Sequence, residues 1–238
     1  MAGSPSHVLS VERERASEGG RGEDAGEGRV ATVWLDRPDA RNALGPEFFD
    51  ELLAVMTQLS SDPDVRVVVI AARGRDFSVG LDLKAMGTLL VEPGGDGTSR
   101  AARAASARRS VLRMQAAISS VADCPKPVIA AVHGYCIGGG MDLVTACDVR
   151  LAATGAIFGI RETRMAIVAD LGTLQRLPRI VAAGHVAELA YTGKDFDAAR
   201  AEQIGLVNEV FDDRDELLAA AGALAREIAS LSPLAVQG

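Results

Sequence analysis

The chain has 238 residues, 48% of them hydrophobic, and a formal net charge of −7. That is enough apolar material for one sizeable core and too acidic a balance for a general nucleic-acid surface. No apolar run reaches the roughly 18 residues of a membrane-spanning helix, and the N-terminus lacks the basic-then-apolar order of a signal peptide, so no membrane partner and a cytoplasmic location are expected.

Residues 8–15 alternate well enough for an edge strand, and Val30–Leu35 reads as a stronger one. The two can pair as a hairpin across a Gly- and Glu-rich segment that has no apolar anchor and is expected to be a mobile loop. After a Pro-Asp turn, Pro46 opens an amphipathic helix carrying Phe48, Phe49, Leu52, Leu53, Met56 and Leu59, stopped by Asp62-Pro63. Val65–Ala71 reads as a buried strand that runs into the polar loop ARGRDFSVGLDL. Ser99–Val121 has helical character, ended by Pro125 and Pro127. Its basic stretch (Arg100, Arg103, Arg108, Arg109, Arg113) is either a solvated helix face or a landing place for an anionic ligand. Val128–Val132 is a continuous apolar run of strand length that enters GYCIGGGMD, and a helix follows to about Asp148.

Short strands are expected at Val149–Ala153 and Ile157–Ile160, and a helix from near Gly172 with a break at Pro178. Short helices at 184–192 and 197–204, a strand at Leu206–Phe211 and an alanine-rich helix over Asp213–Ser230 complete the chain. Alternation of strands and helices makes the class α/β. No internal repeat recurs at a fixed period. The three cysteines, Cys124, Cys136 and Cys147, are odd in number and lack metal-ligand spacing, which suits reduced thiols and argues against a metal site.

Chemistry concentrates at the glycine turn. Gly138, Gly139 and Gly140 let the backbone approach a ligand, and the first N–H groups of the following helix are unpaired, so the turn is either tight packing or a nest for an anion or developing oxyanion. A second donor is available in FSVGLDL, where the N–H of Leu81 after Gly80 can face the same space. Three carboxylates lie in apolar or glycine-rich surroundings: Asp142, Glu162 and Asp170. Such settings push carboxyl pKa values up and apart, which allows acid and base work near neutral pH. Each acid also has an ordinary structural role open to it: Asp142 as a helix-start acid, Glu162 as partner of Arg161 or Arg164, and Asp170 as an N-cap. The histidines (His7, His133, His185) have no nucleophile motif beside them, and the glycines fit neither the Walker nor the dinucleotide pattern.

Taken in order between residues 30 and 211, RPDARNAL, FSVGLDL, KPVIAAVHGYCIGGGMDL, ACDVRLAA and GTLQRLPR resemble the crotonase superfamily of enoyl-CoA hydratases and isomerases. The resemblance implies a spiral core of ββα units over 30–211, preceded by an edge strand and loop (1–29). It is followed by the start of a helical C-terminal trimerisation region (212–238), cut short relative to family members that continue for about two more helices. It further implies an acyl-CoA thioester substrate, no cofactor, no metal and no nucleic-acid partner, and assembly as trimers or dimers of trimers. By motif position, the backbone donors for a thioester enolate fall on Leu81 and Gly139. The CoA and substrate contacts fall on Arg41, Ala43, Ser78, Gly80, Asp82 and Gly140.

Within the superfamily the hydratases carry two glutamates, which correspond here to Asp142 and Glu162. The position of Asp170 is glycine in a typical hydratase, and the set Asp, Glu, Asp with GGG-x-DL-x-TACD-x-R is similar to the Δ3,5-Δ2,4-dienoyl-CoA isomerases. Thr163–Ala166 depart from the Gly- and Val-rich pattern usual there. The isomerase resemblance implies Glu162 working at C2 and Asp170 at C6, with Asp142 tuning or hydrogen-bonding one of them. The alternatives are a hydratase in which Asp142 and Glu162 orient a water, and a CoA-binding or scaffold member without turnover.

Overall fold

The computed structural model describes residues 7–14, 29–90 and 99–238. The Gly- and Glu-rich segment read as a mobile loop, and the Gly-rich stretch 92–97, lie outside the described residues. Strands β1 (Leu9–Arg13) and β2 (Val30–Leu35) form the expected antiparallel pair, with Val11 opposite Val33. Helix α1 (Pro46–Ser61) starts at the proline and buries Phe48, Phe49, Leu52, Met56 and Leu59. Leu53, counted in that stripe from the sequence, is exposed, because one residue of α-helix turns the side chain about 100° off the buried face. Strand β3 (Val67–Ala72) runs parallel to β2. Helix α2 (Leu83–Leu90) then occupies a stretch for which the sequence showed no helix, and α3 (Arg100–Ala122) follows, with Ser99 Oγ accepting from the Ala102 N–H.

Beyond it come β4 (Val128–Val132), β5 (Tyr135–Ile137), α4 (Gly139–Thr145), β6 (Val149–Ala153) and β7 (Ile157–Gly159). Helix α4 stops short of Asp148. The buried Arg150 guanidinium takes up the carbonyls of Cys147 (2.6 Å) and Leu206 (2.7 Å) just past its end. A 3-10 turn spans Glu162–Met165, and α5 (Thr173–Arg176) is a single turn before Pro178 forces another. The remainder is α6 (Ala183–Thr192), β8 (Asp195–Asp197), α7 (Ala198–Gln203), β9 (Glu209–Phe211), α8 (Arg214–Ser230) and α9 (Pro233–Gln237).

The strands divide between a six-stranded sheet, β1-β2-β3-β4-β6-β9, and a small one, β5-β7-β8. Every contact in the larger sheet after the first hairpin is parallel, and its central strands β3 and β4 are buried on both faces, as their unbroken apolar runs require. From β4 to β7 consecutive strands go to alternate sheets: β4, β5 and α4 form one ββα unit, and β6 and β7 begin the next. Two earlier units are abbreviated, their second strands reduced to the single bridges Leu44 with Leu81 and Ser78 with Cys136. This is the ββα spiral that the resemblance implied. Helix α8 lays Leu217, Ala221, Ala225 and Ala229 on the outer face of the large sheet, against residues that include Val67, Ile129 and Leu151. Its alanine spacing lets the helix approach the strands closely. The other face of the sheet and the helices α1, α3 and α4 enclose the main core.

Candidate active site

The spiral brings two loops edge to edge. In FSVGLDL, Leu44 donates to the Gly80 carbonyl (2.8 Å) and accepts from the Asp82 N–H (2.9 Å). Alternate backbone groups of an extended chain point to opposite sides, so the N–H of Leu81 faces away from Leu44. Gly80 has φ +84, a region closed to most side chains, and a Cβ there would stand 2.9 Å from the Ile137 carbonyl and 3.3 Å from the Gly139 nitrogen. Gly138, at φ +54, turns the chain so that α4 begins at Gly139. Among the described residues neither the Leu81 nor the Gly139 N–H has a hydrogen-bond acceptor. Two unpaired backbone donors thus lie where the two loops touch, at Gly80 and Gly139.

A cavity of about 180 Å³ opens beside them, walled by Leu83, Ile137, Met165 and Ile167, with Arg161 and Glu162 as its charged lining. The Glu162 carboxylate reaches the glycine turn: a Cβ on Gly138 would lie 3.3 Å from Glu162 Oε1. Its Oε2 is buried without a hydrogen-bond partner. Burial, reinforced by the negative charges of Asp142 and Asp170, pushes the Glu162 pKa up to about 7. No ion pair joins it to Arg161 or Arg164, the structural role open to it in the sequence. Arg161 is instead forked onto Asp195 (Nε to Oδ1, 2.7 Å).

The other two acids stand differently. Asp142 is almost wholly buried, does not line the cavity, and uses Oδ1 to accept from both the Thr173 N–H and the Thr173 hydroxyl, each at 2.7 Å. Burial raises its pKa to about 6, opposed by those two bonds. Asp170 is exposed and lines a neighbouring open pocket of about 390 Å³ with Gln115, Ser119 and Arg176. It is not an N-cap. Gly172 precedes α5, and the Asp170 carbonyl accepts from Gln115 Nε2 (2.7 Å).

The residues expected to contact CoA separate into two groups. Arg41 stands at the surface, paired with Asp76 (2.7 Å) and 5.1 Å above the Tyr135 ring, and Gly80 borders the cavity. Ala43 offers its carbonyl to Arg37 (3.1 Å), and Asp82 caps the first turn of α2 through the Ala85 N–H (3.1 Å). Ser78 and Gly140 stand away from the cavity. Ser78 is fully buried and its hydroxyl donates to the Asn42 carbonyl (2.8 Å), while a Cβ on Gly140 would meet Ser78 rather than the cavity. Both pack the two loops together from behind. The basic stretch of α3 is an exposed face, with Arg113 turned onto Asp50 (Nε to Oδ1, 2.6 Å).

Two residues carry more than their sequence setting suggested. Asn42, at φ +53, pins the loop after β2 to the loop after β3 by donating to the carbonyls of Arg73 and Asp76. Thr173 engages Asp142, and its only sequence signal was a polar residue at a helix start. His133 is a buried residue whose Nε2 contacts the Gly74 carbonyl (2.9 Å). All three cysteines are free thiols.

Unpaired backbone donors beside a buried carboxylate in an apolar cavity are a setting for acid–base chemistry on a bound ligand. Comparisons with known proteins narrow that class. Residues 25–238 match the family model described as enoyl-CoA hydratase/isomerase. The chain is 43% identical over 204 residues to the peroxisomal Δ(3,5)-Δ(2,4)-dienoyl-CoA isomerase of Arabidopsis thaliana, covering 86% of this chain and 73% of that protein. It is 45% identical over 209 residues to the mitochondrial Δ(3,5)-Δ(2,4)-dienoyl-CoA isomerase of Homo sapiens, covering 87% and 63%. The crystal structure of an enoyl-CoA hydratase from Bacillus anthracis superposes with a TM-score of 0.81 at 32% identity, covering 97% of this chain and 80% of that one. The chain belongs to the enoyl-CoA hydratase/isomerase family.

Proposed function

We propose that the chain is a dienoyl-CoA isomerase that converts a 3,5-dienoyl-CoA thioester to its 2,4-dienoyl isomer. Moving both double bonds takes a proton from C2 and delivers one to C6, with no water added and no change of oxidation state, so no cofactor beyond the substrate is required. The thioester oxygen, negative in the dienolate, sits at the Leu81 and Gly139 N–H groups. Glu162 exchanges the proton at C2 and Asp170 the proton at C6. A carboxyl with a pKa of about 7 is matched to both taking and giving a proton at neutral pH.

One observation carries this reading: of the three acids only Glu162 lines the cavity, with a free buried oxygen beside the two donors. A hydratase would need Asp142 and Glu162 together on one water, and Asp142 is committed to Thr173 outside the cavity. The family resemblance and the isomerase relatives support the same choice, and a trimer or dimer of trimers belongs to the proposal on the same footing. Among the described residues no helix is long and apolar enough to cross a membrane. The cytoplasmic location expected from the sequence is not supported by the relatives, which are named for peroxisomes and mitochondria.

The test is Asp170→Asn assayed with a 3,5-dienoyl-CoA and with a 2-enoyl-CoA. Dienoyl isomerisation is expected to fall about 10²-fold or more, the size of a general acid's contribution. Retained isomerisation, or wild-type hydration of the 2-enoyl-CoA as the main reaction, overturns the assignment.

A further inference from the structure

The Asp142 side chain is costly to bury, and it lines neither the cavity at the glycine turn nor the pocket at Asp170. Both of its recorded hydrogen bonds go to one residue, Thr173, which is itself 1% exposed. The positions of the two partners give the contact its meaning. Asp142 lies three residues after Gly139, in the first turn of the helix that begins with an oxyanion donor. Thr173 lies three residues after Asp170, at the first position of α5. The contact therefore ties the segment that would hold the enolate oxygen to the segment that would deliver the distant proton. The Asp170–Gly172 loop is otherwise held by Leu171, buried in the main core, and by bonds to its carbonyls, from Gln115 on that of Asp170 (2.7 Å), Arg176 on that of Leu171 (3.3 Å) and the first turn of α5 on that of Gly172.

We propose that Thr173 is a positioning residue for the reaction: its hydroxyl and N–H lock the Asp142 carboxylate and so fix the distance between the Gly139 donor and Asp170. Asp142 acts through this contact and does not itself transfer a proton. Catalysis is sensitive to such a tie because a misplacement of about 1 Å between reacting groups costs on the order of 10²-fold. The inference rests on the isomerase reading only for the identity of the reaction assayed; the contact between the two segments would matter for any reaction using both.

The hydroxyl is the separable part, since the N–H survives every substitution but proline. Thr173→Val keeps the shape and removes the hydroxyl, whereas Thr173→Ser keeps the hydroxyl and removes the methyl. Each is compared with wild type in kcat, KM, thioester binding and pH profile, on 3,5-dienoyl-CoA or, if wild type instead hydrates 2-enoyl-CoA, on that substrate. Wild-type preference thereby reports on the isomerase reading, and the variants report on Thr173.

Thr173→Val is expected to lose about tenfold or more in kcat with KM and thioester Kd within about twofold, and Thr173→Ser to stay within about twofold of wild type. The charges acting on Asp142 are those of Asp170 and Arg176, and Asp142 acts in turn on Glu162. Removing a hydrogen bond that favours the charged carboxylate raises its pKa, so the part of the acid limb set by Asp142 moves to higher pH in Thr173→Val. A merely structural role would lower the melting temperature without moving that limb. A folded Thr173→Val variant with wild-type kcat and an unmoved limb overturns the inference, and so does Thr173→Ser impaired as much as Thr173→Val. If Thr173→Val does not fold, Thr173→Ala carries the same expectations and the same refutation.

Discussion

Asp142 and Glu162 are twenty residues apart in sequence and flank the same glycine turn, and burial raises the pKa of both. Their surroundings nevertheless assign them opposite work. Asp142 spends its carboxylate on Thr173 and closes the protein behind the turn, whereas Glu162 keeps Oε2 unpartnered and faces the cavity. Desolvation alone does not mark a proton-transferring acid. What separates the two is where the carboxylate is turned: both bonds to Asp142 fall on Oδ1 and come from Thr173, outside the cavity, whereas Glu162 lines the cavity with Oε2 unpartnered and able to take up a proton there.

The largest test of that difference is Glu162→Gln, which keeps the shape and removes the titrating group. Isomerase kcat is expected to fall by about 10² to 10⁴-fold, with thioester binding retained when measured directly by calorimetry. A wild-type rate would place the proton transfer on another residue. Next in size is Gly80→Ala. The new Cβ, strained at φ +84 and 2.9 Å from the Ile137 carbonyl, has to push the loop carrying the Leu81 N–H away from Gly139. Loss of one oxyanion donor costs about 10²-fold in kcat, read in steady-state kinetics with folding checked by circular dichroism.

The smallest expected effect is thermodynamic. The folded pKa of Glu162 lies above its unfolded value, so between about pH 4.5 and about pH 7 the folded state binds more protons than the unfolded one, and stability contributed by this group is present at low pH and lost as pH rises. Glu162→Gln should therefore stabilise the protein at pH 8 and have little effect at pH 4. Denaturant melts at the two pH values decide it. An equal effect at both would mean that the burial of Glu162 does not penalise its charge.

The legible parts of the chain were those set by local chemistry. The apolar runs of β3 and β4, the proline start of α1, the Ser99 cap and the Asp213 cap of α8 lie within two residues of where composition placed them. The motif order likewise placed Leu81, Gly139 and Glu162 in or beside one cavity. Less legible were α2 and the three-residue strands β5 and β8, which are too short or too irregular to leave a period. Ser78, expected among the substrate contacts, turns its hydroxyl to the Asn42 carbonyl, a direction that nothing in FSVGLDL shows.

By itself, then, the sequence determined the elements with strong periodicity, the glycines at the turn and the family, since each depends on neighbouring residues or on an ordered set of motifs. The spiral was decided only in three dimensions. It repeats a topology without repeating residues, because parallel pairing of distant strands asks for apolar faces and not for identical side chains. Tertiary structure also sorted the acids: Asp142, Glu162 and Asp170 sit in similar sequence settings, and only the folded chain supplies Thr173 to one, an apolar cavity to the second and an exposed position to the third.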